Sequence, residues 1–300
     1  AELRCGLSRA HVEAISRVAG AASIDLIACH GQTVFHRPPR SWQLFDPAPI
    51  AARFGVPIVH DLRAADIAAG GQGAPITPLA DLVLFGRHAP LTVVNLGGFC
   101  NITEIERPDE ISGRDVCACN QLLDAGARRW LGACFDADGT VAAAGSVDEP
   151  RTTRIVRTLE DQAGTRRSLG SADECFVLLE ELDGLSPGDA LSTLAAGVGR
   201  VIGNAVAGSP LVVLAGGGAR NAALVRAIAS AAGGVRVIRS DEFGVPAGAR
   251  EAAGIAVLGA MCAGGLPITL PGVTGVPEPA PVAGRWALPP DGSWEVRRRG

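Results

Sequence analysis

Residues 92–124 constrain this chain more than any other stretch. They open on TVVNLGGFCNITEI, pass through a short polar connection and close on GRDVCACNQLLD. Residues 92–96 form a β-branched apolar run that stops at Gly97-Gly98, and residues 101–105 resume a strand-like alternation. A strand that breaks at two glycines and turns back is a hairpin-like loop with bare backbone N–H groups. A phosphate can approach it closely, because no Cβ stands in the way. Asp115 follows, just ahead of a helix expected over residues 120–131. A carboxylate there is placed to act as a base beside a phosphate loop. A tight turn followed by a solvated acid accounts for the same residues equally well.

The pattern recurs. Residues 210–215 (PLVVLA) read as a strand and run into Gly216-Gly217-Gly218. Asn221 then caps a helix whose core face holds Leu224, Val225 and Ile228. Strand, glycine turn and helix N-terminus make an anion- or nucleotide-binding junction, although it is not a GxGxxG fingerprint. Upstream, a strand over residues 23–29 ends at His30-Gly31-Gln32-Thr33, with His36 and Pro38-Pro39 beyond. A second strand, 56–59, leads to Asp61, Arg63, Asp66 and the glycines Gly70, Gly71 and Gly73. Open α/β sheets place ligand sites at such carboxyl ends. An incidental turn histidine and a structural ion-pair network are the alternatives for these two segments. Helices are expected over residues 8–18 with Ser8 as N-cap, and from about Gln43–Pro47 to a stop at Gly55. Others are expected over 152–159, 191–206 and 247–263, the last with Glu251 in its first turns, and a further strand over 234–239.

Composition narrows the function. Three hundred residues with 47% hydrophobic content can bury a large core, expected as two lobes. A net charge of −4 gives no reason to expect nucleic acid or an anionic membrane as partner. No apolar run reaches about 18 residues, so no membrane span is expected, and AELRCGLSRAH lacks a secretory signal pattern. Eight irregularly spaced cysteines fit buried thiols in a reducing cytoplasm. Cys117 and Cys119 lack a second ligand pair for zinc, so no protein metal site is assigned. All 27 basic residues are arginine. Without lysine there is no Walker-A lysine, kinase strand lysine or Schiff-base lysine. Phosphate handling must fall to backbone N–H groups, arginine or a metal ion.

Taken in order, HGQTVFHRPP, DPAPIAARFGVPIVHDLRAADIAAGGQGAPITP, VVNLGGFCNIT, GRDVCACNQLLD, LAGGGARN, AREAAGIAVLG and LPGVTG resemble the anhydro-N-acetylmuramic acid kinases, over roughly residues 24–290. The resemblance implies an α/β, two-lobed fold of the actin-like ATPase and sugar-kinase superfamily. It implies an enzyme that uses ATP and Mg2+ to open the 1,6-anhydro ring of an amino sugar and phosphorylate O6. The setting implied is cell-wall recycling in the bacterial cytoplasm, and a homodimer is compatible with it. By the same resemblance Asp115 is the catalytic base. Gly97 and Gly98 form the second phosphate loop, and Gly216, Gly217, Gly218 and Asn221 the nucleotide-side motif. His30, Gln32, Arg63, Asp66 and Glu251 would face the sugar or hold the cleft, and Asn120 and Asp124 lie on the helix behind the base.

There are departures from the family pattern. Asp115 is followed by Val116-Cys117-Ala118-Cys119 where a glycine turn is usual, and RSLGSADE (167–174) replaces a Lys-Ser-Thr-Gly-Arg-Glu motif. The family's Met-Ser-Gly-Thr-Ser-x-Asp-Gly phosphate loop is not found in the 29 residues ahead of His30. The expectation is a first lobe, residues 1–59 with 273–300, that is incomplete, and a second lobe over 60–272. Little phosphorylation by this chain alone would follow. A non-catalytic sugar- or nucleotide-binding remnant and an ATP-independent anhydro-sugar hydrolase are the competing readings.

Overall fold

The computed structural model describes residues 2–19, 23–164, 169–170, 173–280 and 283–289. In chain order its strands are β1 (Ile27–Cys29), β2 (Gln32–Arg37), β3 (Arg40–Leu44), β4 (Ile58–His60), β5 (Leu91–Leu96), β6 (Phe99–Arg107), β7 (Glu110–Ala118), β8 (Val212–Ala215), β9 (Val237–Arg239) and β10 (Arg285–Ala287). The α-helices are α1 (Glu2–Ala19), α2 (Ala48–Phe54), α3 (Ala64–Ala68), α4 (Pro78–Phe85), α5 (Asn120–Leu131), α6 (Thr140–Ala144), α7 (Glu149–Gly164), α8 (Pro187–Ala205), α9 (Ala222–Ala231), α10 (Arg250–Ala263) and α11 (Pro271–Thr274). The class is mixed α/β, as the resemblance implied.

Two compact units result: residues 1–80 with 252–300, and residues 81–251. The division expected from sequence fell instead at 59/60 and 272/273. The reason for the difference lies in packing. Val59 and Leu62 share a core with Ile76, Ile255, Leu258 and Ile268, so the segments 60–80 and 252–272 belong with the first unit.

In the first unit β1 and β4 pair in parallel and β10 joins β4 antiparallel. A separate hairpin, β2 with β3, carries the HGQT segment. Local details depart from the expected pattern. The first helix starts at Glu2, so Ser8 is no cap; it lies inside α1 and its hydroxyl donates to the carbonyls of Arg4 and Asp46. Gln43 sits in β3 rather than at a helix start, and α2 begins at Ala48 and ends at Gly55 in the left-handed region. The first strand is only Ile27–Cys29.

The second unit is built on a five-stranded sheet in the order β7-β6-β5-β8-β9. β5, β6 and β7 run antiparallel as a meander, while β5, β8 and β9 are parallel. β5 is buried at every position, as a strand covered on both faces must be. On one side α8 packs between α7 and α9, with Leu191, Leu194, Val198 and Ile202 in the main core. Gly199 permits this, since a Cβ there would overlap Ala227 of α9. Ser186 starts α8 by accepting a hydrogen bond from Asp189 N–H. A fully buried ion pair joins Asp81 to Arg250, and Thr103 donates to the same Asp81 carboxylate at 2.7 Å.

Candidate active site

Two glycine loops meet in the second unit. The first, Gly97-Gly98, turns β5 into β6 as the hairpin reading required. Its carbonyls accept from the start of α5: Asn120 N–H to Gly97 O at 3.0 Å, and Cys119 and Gln121 N–H to Gly98 O at 2.9 and 3.1 Å. The second loop, Gly216 to Gly218, leaves β8, which lies beside β5 with Asn95 opposite Ala215. Leu96 and Asn120 stand between the loops. Asn120 Nδ2 donates to Leu96 O at 2.8 Å, and a Cβ on Gly218 would come within 2.8 Å of both Asn120 Oδ1 and Leu96 Cβ. Gly216 takes φ +85°, and a Cβ there would press on Leu96 O at 2.7 Å. Only glycine fits that position. Asn221 caps α9 as expected, its Oδ1 accepting from Leu224 N–H at 3.0 Å.

Beyond the second loop lies a cavity of about 620 Å³. Gly217, Gly218, Arg220 and Asn221 line it from one element, Asn120 and Asp124 from α5. Arg220 has no ion-pair partner among the described residues, which leaves a cation in a chain without lysine. Burial pushes the Asp124 carboxyl above its ordinary value, and Arg128 beside it pulls the other way. Gln121 Oε1, next to Gly98, is buried without a partner, an acceptor that a ligand donor or water would satisfy.

Asp115 is half-buried on β7 opposite Asn101 of β6. Its Oδ2 accepts from Leu169 N–H at 2.7 Å, which orients the carboxylate from outside the sheet. The cysteines that follow it are core. Cys117 and Cys119 are fully buried, and burial raises both thiols, Cys119 to about 12 and Cys117 well above its usual value. Thiols held protonated in this way are poor nucleophiles. Of the departure at 167–174, Leu169, Gly170, Asp173 and Glu174 are described; the rest lies outside the described residues.

The remaining predicted site residues divide between the units. His30, Gln32, Arg63 and Asp66 are in the first, Glu251 in the second. His30 Nδ1 lies 3.0 Å from Gly31 O and must donate there, because Nε2 accepts from Arg63 Nε at 2.9 Å. That is the neutral imidazole. Burial first, then the Arg63 guanidinium, lowers the His30 pKa to about 4. Arg63 also donates to Gly73 O at 2.7 Å. Asp66 is 1% exposed and is committed to structure: it accepts from Gly73 N–H at 2.6 Å and from Thr274 Oγ1 at 2.7 Å. It positions the Gly70–Gly73 loop. Gln32 is exposed on β2 and Glu251 is exposed on α10.

Sequence reasoning passed over Asp124 and Arg220 as cavity residues. The signal for Asp124 was its place four residues after Asn120, which puts both on one face of α5. Among the described residues no group of three or more His, Cys, Asp or Glu could hold a metal ion, and no helix is long and apolar enough to cross a membrane.

A family model for anhydro-N-acetylmuramic acid kinase matches residues 2–284. An anhydro-N-acetylmuramic acid kinase of Acidiphilium cryptum is 39% identical over 284 residues, covering 93% of this chain and 78% of that protein. Another, from Rhodopseudomonas palustris strain HaA2, is 36% identical over 296 residues, with 93% and 79% covered. Among solved structures, component A of the (R)-2-hydroxyglutaryl-CoA dehydratase of Acidaminococcus fermentans is 22% identical with a TM-score of 0.43, over 63% of this chain and 68% of that one.

Proposed function

Since the chain belongs to the anhydro-N-acetylmuramic acid kinase family and is a sugar kinase, we propose that it opens the 1,6-anhydro ring of that sugar with water and transfers the ATP γ-phosphoryl group to the released O6. The observation that carries the reading is the meeting of the two glycine loops through Leu96 and Asn120, next to a cavity and one strand away from Asp115. The family's actin-like architecture suits that arrangement.

In the proposed reaction a water oxygen bonds to the anomeric carbon as the bond from that carbon to O6 breaks. The water proton passes to Asp115. O6 takes the γ-phosphoryl group, and ADP leaves. Little covalent help is needed from the protein, so positioning and charge stabilisation dominate. Backbone N–H groups of the glycine loops and the Arg220 guanidinium are the donors this chain offers in place of lysine. ATP and Mg2+ are both part of the proposal. The ion would offset the phosphate charge that backbone N–H groups and Arg220 leave uncompensated. No step is assigned to it.

His30, Gln32, Arg63 and Glu251 stay assigned to the sugar by resemblance, with Asp66 acting through its loop. Cytoplasmic residence, cell-wall recycling and a homodimer belong to the same proposal; all eight cysteines are free, which suits a reducing compartment. The test is Asp115→Asn in a chain extended upstream by the family's phosphate loop, assayed by ADP release and by formation of the 6-phosphosugar. A loss of about 100- to 10,000-fold in kcat is expected, with ATP affinity held within about twofold. Turnover unchanged by the substitution would remove Asp115 as the base.

A further inference from the structure

The cavity lined by Gly217, Gly218 and Arg220 contains a carboxylate and a guanidinium that do not pair with each other. Asp124 accepts no hydrogen bond from any described residue, and the one cation acting on it is Arg128, its neighbour one turn along α5. Arg220, on the opposite element, likewise carries no ion pair among the described residues. An anion and a cation that share one cavity would ordinarily close on each other. Held apart, they fit a ligand that brings an anion to one and neutral donors to the other.

The other polar groups on the wall are already spent. Asn120 donates to Leu96 O and Asn221 caps α9. Asp136 accepts from Val141 and Ala142 N–H at 3.1 and 2.9 Å and so caps α6. Asp138 is exposed at the rim. Asp124 is the half-buried acceptor left uncommitted, and its raised pKa is what burial without a donor produces. Between the charged groups the wall is apolar, with Leu123, Ala142, Leu191 and Ala195. Phe135, 60% exposed, offers a flat ring at the mouth.

We propose that Asp124 selects the sugar of the nucleotide: its two carboxylate oxygens accept the 2′- and 3′-hydroxyls of a ribose, while phosphates lie toward Gly217, Gly218 and Arg220. This rests on the nucleotide reading of the site. A vicinal diol supplies two donors and no charge, which matches a carboxylate already short of donors and unsuited to a phosphate. A base amine would engage one oxygen and leave the other dry. The chain is therefore a ribonucleotide-selective enzyme, and Asp124 is its specificity determinant.

Calorimetry with the Mg2+ complexes of ATP, 2′-deoxy-ATP, 3′-deoxy-ATP and inosine triphosphate tests this on the unaltered chain and on Asp124→Ala. Hydrogen bonds to a charged group are worth about 1.5–3 kcal/mol, so about a 10- to 100-fold preference for ATP over each deoxynucleotide is expected. Asp124→Ala should bring that preference below about threefold and weaken each deoxynucleotide less than ATP, since each deoxynucleotide keeps one of the two hydroxyls that bond to Asp124. The analogue series on the unaltered chain reads the contact even if the variant folds poorly. No preference in the unaltered chain, or a preference that survives in Asp124→Ala, overturns the assignment. Discrimination against inosine triphosphate alone would move the contact to the base and overturn it too. If ATP fails to bind, or binds unaffected by Gly217→Val, it is the nucleotide reading of the site that fails, and this inference with it.

Discussion

Two glycine-rich loops of similar appearance in the sequence are in opposite states in the fold. Gly70 to Gly73 in the first unit closes on its own carboxylate: Asp66 accepts from Gly73 N–H and from Thr274, and a Cβ on Gly71 would collide with Asp66 Oδ2. Gly216 to Gly218 in the second unit borders a cavity, and a Cβ on Gly217 would meet nothing nearer than Asn120 Nδ2 at 3.7 Å. Glycine is needed in both, for different reasons. In one the protein itself fills the space the missing side chains leave. In the other the space is left to something else. Damage to the first loop should therefore register as lost stability, and damage to the second as lost binding.

The largest effect that could break this contrast comes from Asp66→Ala. It strands a buried N–H and a buried hydroxyl, and a loss of about 4 kcal/mol in urea unfolding is expected. Gly71→Ala should also destabilise the chain, yet add little on top of Asp66→Ala, because the group it collides with is then gone. Simple additivity of the two would show that the carboxylate does not hold the loop.

A smaller effect tests the rest of the first unit's polar group by pH. His30 titrates at about 4 in the fold against 6.5 when free. Between those values the unfolded chain binds a proton that the folded chain does not, so this contribution is fully present above about pH 6.5 and is lost as pH falls towards about 4. The span corresponds to about 3 kcal/mol. His30→Gln should flatten that part of the stability profile; identical profiles for the two proteins would remove His30 as its source.

The smallest effect is the sharpest. Gly217→Ala has room for its methyl group and a backbone that any residue can adopt, so stability should stay within about 0.5 kcal/mol. ATP affinity should nevertheless fall several-fold, because the methyl stands where a phosphate approaches. A stability loss comparable to that of Asp66→Ala would erase the distinction between the loops.

What could be read from the sequence was local. The turn at Gly97-Gly98, the α5 helix over 120–131 and the Asn221 cap each depend on neighbours within a few residues, and each is found where the pattern put it. The start of α1 was read late because Gly6 is a poor helix former and Ser8 a good cap, yet Ser8 bonds to Asp46, 38 residues away. The β2–β3 hairpin was hidden because one of its faces is polar, with His36, Ser41 and Gln43. The role of Asp66 depends on Thr274, and the unit boundary depends on Ile255, Leu258 and Ile268 reaching Val59. None of these can be inferred from spacing. Asp124 was legible as a helix residue and illegible as a cavity wall, because the opposite wall arrives from residues 217–221.

The discontinuity of the first unit has a consequence in time. Residues 81–251 form one unbroken stretch, whereas the first unit needs both 1–80 and the segment from 252 onward. On the ribosome the second unit is therefore complete while β1 and β4 still wait. β4 keeps an open edge until β10 emerges to pair Trp286 with Val59, and Asp66 lacks its Thr274 donor until some 208 residues have followed. Long-range closures of this kind are slow and leave apolar surface and a bare strand exposed in the interval. A pause in synthesis just after residue 251 would release a finished second unit joined to a first unit without its closing strand, and aggregation should begin at β4.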